Sequence, residues 1–158
     1  MRRQDNRQLP LHPSIRSPLI SLSPTLLVAA LLGWYATHKR DLPWRSRRDP
    51  YRVMVAEFML QQTQAERVTP RFEAFIQQFP TFATLAAAAT ADVLRAWSGL
   101  GYNQRALRLQ AIARLVMTRH GGLLPRDIAV LRMLPGIGPY TAAAIACFAF
   151  GVQVPAVD

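Results

Sequence analysis

Glu57 is the only acid in Val53-Met54-Val55-Ala56-Glu57-Phe58-Met59-Leu60, a run that is otherwise wholly apolar. Buried there, its carboxylate would lose water and its pKa would rise, leaving a neutral acid able to donate a proton near neutral pH. On the outer face of an amphipathic helix the same residue is a solvated charge, and the pattern alone leaves both readings open. The second chemical feature is Leu134-Pro135-Gly136-Ile137-Gly138-Pro139-Tyr140, followed by an apolar segment from Thr141 to Gly151 and then Pro155-Ala156-Val157-Asp158. Two glycines spaced two apart at the mouth of a helix make a tight turn whose amides point outward. Those N–H groups and the positive end of the helix dipole can grip a phosphate. Gly136, Ile137 and Gly138 are therefore candidates for backbone binding, against the plainer reading of a helix–helix turn that contains glycine. An acid shortly beyond that helix, Asp158, is placed beside whatever polyanion the turn holds.

Helices must hold these residues. Ser23 as N-cap, Pro24 in the first turn, and Lys39 with Arg40 at the end outline a first helix. The apolar stretch from Leu19 to Ala36 is interrupted by Pro24 and by Ser21, Ser23 and Thr25, with no small-residue cleavage pattern behind it. A core helix is expected there, not a signal peptide or membrane anchor. A loop through Asp41-Leu42-Pro43-Trp44-Arg45 and Asp49-Pro50 leads to a helix over roughly 51–63. Others follow at about 66–78, at 81–89, and from Thr90, which with Asp92 is expected to cap a helix running to Trp97. Ser98-Gly99-Leu100-Gly101 turns the chain into a long helix near 103–119, and a short one near 126–133 leads into the hairpin. No run alternates as a strand does between turn residues, so the fold class is all-α. Residues 1–22, with Arg2, Arg3, Arg7 and Arg16 among polar residues and prolines, read as a flexible basic tail. Residues 23–158 read as the folded core.

Composition narrows the partners. The chain of 158 residues is 51% hydrophobic and 18% charged, which suits a folded globule. Its net charge is +10, with nine Lys/Arg against three acids in residues 1–50 and ten against six in the rest. Both halves are basic, so DNA or RNA is the natural partner class. Cys147 is the only cysteine, which excludes an internal disulfide and any four-cysteine metal site built from this chain. It sits in an apolar helical run and is expected to be a buried, inert thiol. His12, His38 and His120 lack metal-ligand spacing, and no metal site is expected.

The string Leu134-Pro135-Gly136-Ile137-Gly138 with Val157-Asp158 resembles the helix-hairpin-helix (HhH-GPD) DNA glycosylase superfamily. Leu42-Pro43-Trp44, Glu57-Phe58-Met59-Leu60-Gln61-Gln62-Thr63-Gln64 and Gly99-Leu100-Gly101-Tyr102 resemble, more closely, adenine DNA glycosylases of the MutY type. The likeness covers about residues 25–158, in order. It implies a base excision repair enzyme, a monomer acting in the cytoplasm on nucleoid DNA, that removes adenine mispaired with 8-oxoguanine or guanine from double-stranded DNA. The family's iron–sulfur ([4Fe-4S]) loop with four cysteines and its 8-oxoguanine-recognition domain have no counterpart here. The likeness therefore implies that these residues are the N-terminal portion of such an enzyme, and allows at most a monovalent cation at the hairpin as cofactor.

Breaking an N-glycosidic bond requires protonation of the leaving base and stabilisation of the cationic sugar, and two carboxylates in different environments can divide that work. By resemblance, Glu57 is the acid that protonates adenine and then handles the water, and Asp158 the carboxylate that stabilises the sugar cation. Tyr140 stands where lyase-competent relatives carry a nucleophilic lysine. A phenol cannot form a Schiff base, so a monofunctional glycosylase is implied, with Tyr140 supporting Asp158; a packing aromatic at a helix start is the plainer alternative. Gln61, Gln62 and Tyr102 resemble residues that contact or wedge the bases around a flipped nucleotide. Arg45, Arg47, Arg48, Arg105 and Arg108 are phosphate-contact candidates. Two other readings stand beside this one: an inactive remnant that binds DNA through its hairpin, and a thymine-mismatch or endonuclease III-like glycosylase.

Overall fold

The computed structural model describes residues 23–157. The chain divides into two compact units, Met1–Arg40 and Asp41–Asp158. The basic tail expected over residues 1–22 lies outside the described residues, as does Asp158.

Within the first unit, α1 spans Pro24–His38. The Ser23 hydroxyl accepts from the Leu26 amide at 3.4 Å, and Pro24 opens the first turn, as expected. Within this unit no residue of α1 is buried, and Leu26, Leu32 and Trp34 are 60–63% exposed. Apolar side chains recur around its whole circumference. That raises average hydrophobicity but supplies no one-sided stripe of the kind that seats a helix on a core. No helix among the described residues is long and apolar enough to cross a membrane.

In the second unit, a 3₁₀ turn at Pro43–Arg45 precedes α2 (Pro50–Leu60), α3 (Ala65–Gln78), α4 (Phe82–Ala87), α5 (Thr90–Ala96), α6 (Gln104–Arg119), α7 (Ile128–Arg132) and α8 (Pro139–Phe150). No strand occurs among the described residues. The central element is α2, buried from Val53 through Met59, with α3, α6 and α8 packed around it. Asp49 starts α2 by accepting from the amides of Tyr51 and Arg52 at 3.0 and 3.1 Å. On α3 the buried residues Ala65, Val68, Phe72, Phe75 and Ile76 form a single stripe with 3–4 spacing, covering α2 while Glu66, Arg67 and Glu73 stay in water. Tyr51 donates its hydroxyl to the Phe79 carbonyl at 2.5 Å, satisfying the end of α3.

One expected cap is replaced by another bond. Thr90 is the first residue of α5 and its N-cap is Ala89, without a side-chain bond. The Thr90 hydroxyl donates instead to buried Gln110, whose amide donates to the carbonyls of Ala88 and Leu85 at 2.8 and 3.3 Å. This pairing satisfies carbonyls at the C-terminal end of α4 from within the core. Cys147, expected to be buried, is only partly so.

Candidate active site

Glu57 lies on the last turns of α2 with 8% of its surface exposed. Burial among apolar neighbours pushes its carboxyl up to about 7, and the positive charge of Arg45 opposes part of that rise. At neutral pH the acid and carboxylate forms are therefore both populated, which suits a group that gives and then takes back a proton. The buried reading of Glu57 holds.

The helix breaks just beyond it. Gln61 leaves the helical region, and Gln62 adopts a φ of +55°. Tyr102, after the Gly99–Gly101 turn, has a φ of +46° and is 68% exposed. These two are the only non-glycine residues with positive φ among those described. Such backbone persists in residues with a Cβ only where surroundings enforce it. Both are base-contact or wedge candidates from the sequence, and both stand exposed on short turns.

The hairpin is pinned from below by buried Leu134 and Ile137, with the Ile137 amide bonded to the Leu134 carbonyl at 3.2 Å. Gly136 has a φ of +82°, and a Cβ there would lie 2.8 Å from Cδ of Arg108. Gly138 is the N-cap of α8, and a Cβ there would meet nothing within 4 Å. Gly138, Pro139 and Tyr140 are all exposed, so the N-terminal end of α8, where backbone recognition of an anion would take place, faces solvent.

A cavity of about 670 Å³ joins these parts. Glu57, Gln61, Gln62, Tyr102, Gly138 and Tyr140 all line it, so six of the nine candidates other than the arginines converge on one space. Gly136 and Ile137 build the hairpin beside it without lining it, and Asp158 is outside the described residues. Leu60, Gln104 and Thr141 also line the cavity and were missed. Only the position of Gln104, two residues after Tyr102, hinted at its place.

Among the arginines the outcome is split. Arg108 is exposed and lines the cavity, while Arg45, Arg47 and Arg48 are exposed on the segment before α2. Arg105 is corrected as a free phosphate contact: it reaches the cavity wall, but it is 5% exposed and both its Nη atoms are already bonded to backbone carbonyls. No group of three His, Cys, Asp or Glu side chains able to hold a metal occurs among the described residues. A four-thiolate iron–sulfur cluster does not fit this chain's donor set, since Cys147 is its sole cysteine.

Residues 55–145 match the family described as HhH-GPD superfamily base excision DNA repair protein. The chain is 47% identical over 140 residues to the adenine DNA glycosylase of Mycolicibacterium smegmatis, covering 88% of this chain and 46% of that protein. A solved thermostable thymine-DNA glycosylase superposes with a TM-score of 0.80 at 34% identity, over 85% of this chain and 62% of that one. Endonuclease III in a non-covalent complex with DNA shares the fold, with a TM-score of 0.72 at 22% identity over 87% of this chain and 64% of that one. The chain spans about half the length of the curated relatives of adenine glycosylase type from mycobacteria that it matches.

Proposed function

The chain belongs to the HhH-GPD superfamily of base excision DNA repair proteins, and on that premise we propose that it carries the base-removing site of an adenine DNA glycosylase. The substrate is adenine opposite 8-oxoguanine or guanine in double-stranded DNA. The observation that carries the reading is Glu57, a desolvated acid titrating near 7, in one cavity with Tyr140, Gln62 and Tyr102. The 47% identity to an adenine glycosylase supports adenine over thymine as the base.

In this mechanism the hairpin amides and Arg108 hold the backbone, while Gln62 and Tyr102 occupy the space left in the stack when adenine turns out into the cavity. Protonated Glu57 gives its proton to a ring nitrogen of adenine. The C1′–N bond then breaks with its electron pair passing to the base. Asp158 offsets the positive charge left on the sugar. Water adds to C1′ and yields its proton to the Glu57 carboxylate, restoring the acid. Tyr140 supplies no amine at the site, so the product is an abasic site with an intact strand. A monovalent cation at the hairpin belongs to the same reading. The enzyme works as a monomer in the cytoplasm, on nucleoid DNA.

The test is release of free base by the whole chain from duplexes with A:8-oxoG, A:G or T:G at one position, measured chromatographically. Adenine release from the first two, abolished in Glu57→Gln, is the expected result. Thymine release from T:G without adenine release would move the protein to the thymine branch. Salt-dependent binding with no base release would leave a DNA-binding module only.

A further inference from the structure

Arg105 is a buried charged side chain whose bonds end on the C-terminal end of α2 with the turn after it, and on the Gly99–Tyr102 turn. One Nη donates to the carbonyls of Phe58 and Met59 at 3.1 and 3.0 Å and to that of Gln61. The other donates to the carbonyls of Leu100 and Gly101 at 2.9 and 3.1 Å and to the Thr63 hydroxyl at 3.2 Å. The carbonyls on the α2 side are those a helix C-terminus leaves without partners, and a cation there also meets the negative end of the dipole. The guanidinium lies 5.5 Å from the Trp97 ring centroid and 5.6 Å from that of Tyr102, so it rests between a buried and an exposed aromatic ring.

We propose that Arg105 is a positioning residue for base extrusion: its guanidinium ties the Gln61–Thr63 turn to the Gly99–Tyr102 turn and sets the spacing of Gln62 and Tyr102. This rests on the reading of those two side chains as the pair that enters the DNA stack. Both carry left-handed backbone, which the Arg105 network holds in place from one point. The planar fork of arginine matches this divided set of acceptors, and a lysine ammonium of similar charge cannot span it. The stack under Tyr102 fixes where its ring waits before DNA arrives.

The test compares wild type with Arg105→Lys, and with Thr63→Val, which removes one acceptor at little cost in volume should the lysine variant not fold. In the free protein, hydrogen exchange is followed at the Thr63 and Leu100 amides, which bond within the two turns at 3.1 and 3.2 Å. The Ala142 amide, bonded to Gly138 at 3.0 Å, is the control. Exchange at Thr63 and Leu100 should accelerate about tenfold or more in Arg105→Lys while Ala142 is unchanged. Thr63→Val should accelerate Leu100, on the opposite turn, by a smaller factor. In the complex, 2-aminopurine replaces the target adenine opposite guanine. Wild type should unstack it and brighten its fluorescence, whereas Arg105→Lys should bind within about threefold of wild-type affinity yet lose most of that brightening. Uniform acceleration at all three amides, or no change at Leu100 in either variant, overturns the proposal. So does local loosening with unchanged 2-aminopurine brightening, and that result leaves the proposed function standing. No brightening with wild type sinks the wedge reading itself.

Discussion

Replacing Glu57 with glutamine should make the protein more stable while removing its chemistry. The carboxyl titrates near 4.5 when solvated and near 7 in its buried place on α2. The folded state thus holds the proton more tightly than the unfolded chain. For an acid shifted upward, the associated stability is present below pH 4.5 and is lost as pH rises through 7. At 1.36 kcal/mol per pH unit, the displacement amounts to about 3 kcal/mol at pH 8 and less than about 1 kcal/mol at pH 5. A glutamine amide in that place has no charge to desolvate, and its burial costs the same at both pH values. The excess stability of Glu57→Gln over wild type should therefore grow by about 2–3 kcal/mol between pH 5 and pH 8. Urea unfolding followed by far-UV circular dichroism measures this as a midpoint shift at constant slope. An excess that does not change with pH would refute the desolvation argument, because titrations common to both proteins cancel in the difference.

Other consequences follow from the same geometry. Gly136→Ala forces a Cβ into left-handed backbone and against Arg108; it should cost about 1–3 kcal/mol in urea unfolding and weaken DNA binding. Gly138→Ala meets no such clash, so it should leave stability within about 0.5 kcal/mol while weakening duplex binding in fluorescence anisotropy. Gln110→Leu abandons the carbonyls of Leu85 and Ala88 and the Thr90 hydroxyl, and should lower stability by about 1–3 kcal/mol without touching the cavity. Tyr140→Lys places an amine on the cavity wall, and borohydride should then trap a covalent adduct with mismatch-containing DNA that wild type does not form.

Much of the site could be read because its signals are local. The lone acid in an apolar run, the paired glycines and the residues flanking Gly99–Gly101 are each contiguous, and Glu57, Gln62, Tyr102, Gly138 and Tyr140 meet in one cavity. The structural role of Arg105, a phosphate-contact candidate in the sequence, was not legible because its partners lie 42–47 residues away at Phe58, Met59, Gln61 and Thr63. A basic residue among basic residues gives no sign that freed carbonyls will converge on it. Thr90 was misassigned as a cap for the same reason, since Gln110 is 20 residues distant. The start of the first helix was legible because its signals, the Ser23 cap and Pro24 in the first turn, are local. The end of α2 falls at Leu60 because the turn that follows is stabilised from α6.

The central claim is that Glu57 donates the proton that releases adenine, and a single-turnover pH profile tests it directly. Adenine release from an A:8-oxoG duplex should be level below about pH 6.5 and fall about tenfold per pH unit above 7, as the acid form is lost. Glu57→Gln, folded and DNA-bound, should release none. A rate that stays level through pH 7 to 9, or a glutamine variant that releases adenine as fast as wild type, would contradict the account.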